Sequence, residues 1–496
     1  MKKGAVIILF FLLLPLSFAQ NDLYSMDSLE LELNVDGSFE LAPTKSSASV
    51  KEVSADLLLY PQEDYRQKIA AWNSKGTIKE DLIYFFWDDQ KIEKKEFDYN
   101  TVIQTQNKRL KVKEKSSFPL KPEDLQGLEQ YLEPTETIDS NHPNIIAKAA
   151  ELAEGENDLF KVVFKLASWV EENINYDLNT VTATASQKGS WVLQTRQGVC
   201  DEMTSLFVAL ARSLGIPARF VSGISYTNSQ DVINAVGSNW AGHGWAEVYF
   251  PDYGWVPYDV TFGQFGWLDP SHLKLKEDVD SGASSAEYTW NARDAELTVG
   301  KTNIATTLLQ TGSTEQQRVD LIIEPERASV GIGSYVPLIV TITNKQNFYL
   351  SSQVVITKAP KLTSSNVREI SLAPHETKKL VWIAEIPADV APGYIYTSTL
   401  EADANFAVPA EGKLQYGADE EVYTREAAQA FAETLNKKEE KEQLQDVSLA
   451  CKPGKQKYYA NEQAQITCTI KNTGGSLLEG TFCVGKTCQA IRVSAG

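Results

Sequence analysis

Histidine and cysteine are scarce in this chain, four and five among 496 residues. His142, His272 and His375 are scattered, without the short spacings of a metal centre, so no metal is expected. No glycine-rich phosphate loop follows a strand, and no nucleotide cofactor is implied. Basic residues are in deficit: 47 Lys and Arg against 66 Asp and Glu give a formal charge of −19. That balance argues against binding nucleic acid or an anionic membrane, which need clustered Lys and Arg. Beyond the N-terminus no second long apolar run occurs, so no further membrane span is read.

The N-terminus itself is apolar. Lys2 and Lys3 precede the run Ala5 to Leu16, and Ser17-Phe18-Ala19 supplies small residues before a cleavage point. This pattern predicts an export signal over residues 1–19 and an extracellular or cell-surface location; the alternative is an uncleaved anchor. No cysteine lies near the cleavage point, which speaks against a bacterial-type lipid anchor.

At roughly 150 residues per domain, the length calls for three or four domains. Residues 20–140 read as a β-rich N-terminal domain. Leu29 to Val35 alternates, Asp36-Gly37 suits a hairpin turn, and strand-like runs lie at 55–60, 82–87 and 101–103. From Pro143 helical spacing takes over, with Leu159, Val163, Leu166 and Val170 on one face. Residues 141–295 are assigned to this central unit. Alternating strands over 315–412 suggest an immunoglobulin-like sandwich. Residues 413–446 read as a charged helical linker, with a docked helix as the alternative through Ala428, Phe431, Ala432 and Leu435. In 447–496 a partial repeat appears: Cys468-Thr-Ile-Lys-Asn472 echoes Val340-Thr-Ile-Thr-Asn344, displaced by 128 residues (468 − 340). A second, partial sandwich is expected there.

Four of the five cysteines fall in that last module. In an oxidising compartment they read as two disulfides, Cys451–Cys468 and Cys483–Cys488, the latter across a hairpin around Gly485-Lys486; zinc is the alternative. Cys200 stands alone. Val199, Met203, Leu206, Leu210 and Leu214 recur at helical spacing, and Gly215 and Pro217 end the helix. Cys200 is therefore expected at a helix N-terminus, where unpaired N–H groups and the dipole favour a thiolate. His243 precedes the strand 244–250, and 255–259 follows the turn Pro251-Asp252-Tyr253-Gly254. With Pro251-Asp252 as the loop, His243 lies opposite residue 260 and beside Asp259. Thiolate, imidazole and carboxylate together form an acyl-transfer trio, with the Cys200 backbone N–H as an oxyanion donor.

These residues resemble a family. The pieces R-x-G-V-C, A-L-A-R-x-x-G-I-P-A-R-x-V-x-G, H-x-W-x-E-V-Y and G-W-x-x-x-D, in this order within 191–260, are similar to the transglutaminase-like superfamily core. The resemblance covers about a quarter of the chain. It implies an α+β fold with a papain-like core, Cys200 as nucleophile, His243 as general base and acid, and Asp259 as orienting carboxylate. One departure is Asp259-Val260-Thr261, where the family often has Asp-Pro-Thr. Asp269-Pro270-Ser271-His272 resembles a downstream segment of such domains and reads as structural. Gln194 could add an oxyanion donor, though a polar surface residue is its default. Trp245 is expected to pack beside His243. The reading is an exported thiol acyl-transfer enzyme acting on Gln or peptide amides of a protein or peptide substrate, tilted towards hydrolysis (peptidase or amidase). The alternative is a non-catalytic surface binding or adhesion protein that uses the core as a scaffold.

Overall fold

The computed structural model describes residues 23–88, 91–180, 186–443, 447–455, 466–472, 478–484 and 487–493. The expected export signal lies outside them.

The first body is a two-sheet sandwich. In one sheet the long strand Ser28–Pro43 is paired along one side by Lys94–Gln106 and along the other by Ala295–Val299 and Asn303–Thr311. In the second, Ser49–Leu57 lies between Leu82–Trp87 and Ala286–Arg293. Alternation along Ser28–Pro43 puts Leu29, Leu31, Leu33, Val35, Phe39 and Leu41 into one core. The expected hairpin at Asp36-Gly37 does not form. That dipeptide runs straight through the strand, opposite Asp98 and Phe97. The Phe97 ring occupies the space a Gly37 Cβ would need, so the glycine serves close packing rather than a turn. The boundaries expected at 140 and 295 also differ from the structure: Val112 and Ile138 already pack in the core of the α+β unit, and strands of 286–311 return to the N-terminal sheets.

In chain order the α+β unit is inserted between the early and the late strands of that sandwich. Helices α1 (Pro143–Ala153), α2 (Leu159–Asn173), α3 (Gly189–Thr195) and α4 (Cys200–Ser213) pack against one antiparallel sheet. Its strand order is Gln264–Phe265, Gly254–Asp259, Trp240–Phe250, Ala218–Tyr226, Leu273–Asp278. Helix α4 is buried along nearly its whole length, with Leu206, Phe207, Val208 and Leu210 at 0% exposure, so it forms the centre of this core rather than a surface stripe.

Residues 319–417 form a second two-sheet sandwich around Trp382. Its seam with the α+β unit combines apolar and polar contacts: the Tyr349 ring packs on Phe160, while Asp158 caps α2 through Phe160 N and accepts a 2.6 Å hydrogen bond from Tyr349. The charged segment beyond it is a helix, Arg425–Gln443, whose first turns dock. Ala428 is fully buried in the sandwich core, which corrects the solvated-linker reading at that end. The repeat is visible in strand register. Val319 faces Asn344 and Pro325 faces Leu338 in one module; Val447 faces Asn472 and Pro453 faces Ile466 in the other. Cys451 and Cys468 are disulfide-bonded where Ile323 and Val340 meet in the first module. Cys483 and Cys488 are register partners across a strand pair, but their side chains and the 485–486 turn lie outside the described residues.

Candidate active site

Three elements deliver the trio. Cys200 opens α4 after extended Val199 and is partly exposed. The turn before it is fixed by Glu202, whose buried carboxylate accepts hydrogen bonds from Val199 N (2.9 Å), Gln187 N (3.2 Å) and Thr180 Oγ1 (3.2 Å). His243 lies in strand Trp240–Phe250 opposite Gly223, and Asp259 ends strand Gly254–Asp259. The hairpin register is one residue off expectation. Phe250 faces Gly254, so the loop has three residues, 251–253, with Asp252 (φ 68°) left-handed two residues before Gly254 (φ 90°). The proximity survives: His243 Nε2 and Asp259 Oδ2 are 2.6 Å apart.

The Cys200 sulfur lies beside the His243 ring, close enough to favour a proton on the imidazole. Because Nε2 is committed to Asp259, Nδ1 is the nitrogen left for sulfur. Burial disfavours a charged imidazole here, but the Asp259 charge, its hydrogen bond and the sulfur together outweigh burial and raise the His243 pKa to about 10. Burial likewise opposes the Asp259 charge, yet the two neighbouring histidines hold its carboxyl well below the usual range. The environment thus favours an imidazolium beside the Cys200 sulfur.

Asp259 carries more than His243. Its Oδ1 accepts from Thr261 N (2.8 Å) and Phe262 N (3.1 Å), closing the turn where the family pattern has proline. Its Oδ2 also accepts from His272 Nε2 at 3.0 Å. His272, Asp269 and Tyr176 are the neighbours that sequence reading missed or set aside. Tyr176 lies beside Cys200, and burial followed by the nearby negative groups pushes its pKa well above the ordinary phenol value. Tyr176 reaches the sulfur because Asn175–Tyr176 pairs in parallel with Gln197–Gly198, a contact between distant segments that no local pattern announces.

Trp245 packs where expected, its ring 6.0 Å from that of His243, and it is fully buried. Gln194 is exposed on α3, and among the described residues no hydrogen bond joins it to the trio. The Arg219–Glu247–Lys274 cluster is a buried ion network: Glu247 Oε2 accepts from Arg219 at 2.6 Å and Oε1 from Lys274 at 2.9 Å, which accounts for Glu247 structurally. His243, Asp259 and His272 place one ligand atom each within 4.8 Å of one another. The two hydrogen bonds to Oδ2 already account for that convergence.

Part of the chain is similar to known proteins. Residues 146–260 match the sequence model described as "Transglutaminase-like superfamily". The uncharacterized protein YebA of Bacillus subtilis is 30% identical over 154 residues, 29% of this chain and 20% of YebA. An uncharacterized protein of Haemophilus influenzae is 28% identical over 266 residues, 47% of this chain and 69% of the relative. The chain thus spans about a fifth of the first relative's length. Among solved structures, red sea bream transglutaminase is similar at 13% identity and a TM-score of 0.22, over 90% of this chain and 85% of that one. A candidate cysteine protease from Cytophaga hutchinsonii is similar at 16% identity and a TM-score of 0.42, over 58% of this chain and 93% of that one. Residues 146–260 of this chain are a transglutaminase-like domain.

Proposed function

We propose that this chain is an exported thiol acyl-transfer enzyme acting on Gln side chains or peptide amides, with hydrolysis as its main outcome. One observation carries the reading: a partly exposed sulfur at the start of α4, an imidazole beside it and a buried carboxylate 2.6 Å from that imidazole meet from three separate elements. The Cys200 thiolate attacks the acyl carbon, and the carbonyl oxygen becomes an oxyanion beside the N–H groups opening α4. The C–N bond then breaks as the leaving nitrogen takes a proton from His243, leaving a thioester on Cys200. Water, losing a proton to His243, attacks that thioester and releases a carboxylic acid and the thiol. An amine in place of water gives a new amide. Asp259 holds the imidazole with Nδ1 towards sulfur in both halves.

The export signal, the extracellular disulfide module and the protein or peptide class of substrate belong to the same proposal. Incubation with a peptide library plus a labelled amine tests it. Cleavage or deamidation lost in Cys200→Ala supports the hydrolase, and amine incorporation supports the transferase. No turnover of any kind, together with no labelling of Cys200 by a thiol probe above a denatured control, overturns the enzyme.

A further inference from the structure

His272 is fully buried, and the mechanism above does not use it. Its Nε2 shares Asp259 Oδ2 with His243, and its Nδ1 lies 3.4 Å from Asp269 Oδ2, an ion-pair contact. Asp269 is saturated in turn: Oδ1 accepts from Ser271 N and Oγ, and Oδ2 from Gln264 Nε2, at 2.5–2.7 Å. The segment carrying His272 is also held from outside the domain. Arg66 of the N-terminal sandwich donates to the Asp269 carbonyl (2.8 Å), and Thr105 donates to the Pro270 carbonyl. Gln67 pairs with the Lys274 backbone in both directions at 2.9 Å. Four buried bonds therefore fasten a six-residue stretch, 269–274, to a neighbouring body.

We propose that His272 is a positioning residue that tempers the Asp259 carboxylate, and that the N-terminal sandwich is the brace keeping it in place. An oxygen accepting two N–H bonds gives less of its charge to either. By drawing on Oδ2, His272 weakens the hold of Asp259 on the His243 proton. This matters because the imidazole must both keep its proton beside the thiolate and surrender it to the leaving nitrogen. The charged and titratable groups around the pair are Cys200 from α4, Tyr176 from its short strand, Asp259, His272 and Asp269. His272 acts on none of the reacting atoms directly. The inference rests on the acyl-transfer reading of Cys200, and its test separates the two.

The probe is iodoacetate, whose anion is drawn to the imidazolium, with alkylation of Cys200 followed against pH by mass spectrometry of the intact folded chain. In the wild type the rate rises with thiolate formation and falls as His243 loses its proton; a rate that only follows an ordinary thiol overturns the acyl-transfer reading itself. In His272→Leu the upper limb moves to higher pH by about half a unit or more, because Asp259 then acts on His243 alone. His272→Gln, which keeps an N–H donor, restores most of the wild-type position. Asp269→Asn moves the limb in the same direction by less. An unmoved or lowered limb in folded His272→Leu overturns the proposal. Should that variant fail to fold, histidine nitrogen NMR of the wild type decides: a proton on His272 Nε2 between pH 5 and 9 supports the proposal, and an unprotonated Nε2 ends it.

Discussion

Asp259 and His243 meet through a 2.6 Å bond in a site where the carboxylate is fully buried and accepts four hydrogen bonds in all. The carboxylate cannot swing, so the imidazole it holds has one orientation. Asp259→Asn keeps the size but turns a donor towards Nε2 and favours the wrong tautomer. Turnover should fall by on the order of 10³ with thermal stability changed far less. A loss below tenfold in a steady-state amide assay would show that the carboxylate is not the orienting group.

The same pair makes a stability prediction. The raised His243 pKa contributes stability that is complete below the unfolded value of about 6.5 and fades as pH rises through about 10. The lowered Asp259 pKa contributes stability present above about 4 and lost as pH falls. The joint contribution is therefore largest between about pH 4 and 6.5. Thermal unfolding of wild type and Asp259→Asn should differ most near pH 5.5, with the gap narrowing by pH 9.5; a gap that widens on the alkaline side contradicts the sign.

Glu369 sits at the junction of the second sandwich with α2. Burial, then the like charge of Glu171 across the seam, raises its pKa to about 8, while Gln353 Nε2 donates to its Oε1 at 2.9 Å. A carboxyl protonated in the fold and ionised in the unfolded chain loses stability as pH climbs from about 4.5 to 8. Glu369→Gln should therefore gain about 1–2 kcal/mol at pH 8 and little at pH 5, read by urea unfolding. Equal shifts at both values would rule the seam out as the source.

Tyr349 and Asp158 tie the cap of α2 to the same sandwich. Tyr349→Phe removes one buried charge-assisted bond and should cost about 1.5–3 kcal/mol. Asp158→Ala should cost more, because it also uncaps the helix. If the two variants are equally mild, the seam is not bearing on helix stability.

Much of the site was legible because its parts are local signals. The run from Val199 to Leu214 announces a helix with a cysteine at its start, and the Pro251–Gly254 turn folds His243 back towards Asp259. The loop length was misjudged by one residue because Asp252 tolerates a left-handed backbone, which lengthens the loop. Asp36-Gly37 misled for the opposite reason. A turn dipeptide and a strand glycine making room for an aromatic ring look alike until Phe97 is in place. His272 and Tyr176 were out of reach because strand pairing and buried hydrogen bonds between distant segments bring them in, and single-sequence periodicity carries no such information.

The strand Ser28–Pro43 has one long neighbour nearby in sequence and two others beyond residue 294. A chain made from its N-terminus would expose one flank of that strand until about 250 further residues, the whole thiol-bearing insert included, had followed. Closing such a wide loop is slow, and an open strand edge meanwhile invites pairing with other chains. Assembly of the thiol-bearing insert and of its host sandwich is thereby coupled, because the strands that complete the host sheets follow the insert in the chain.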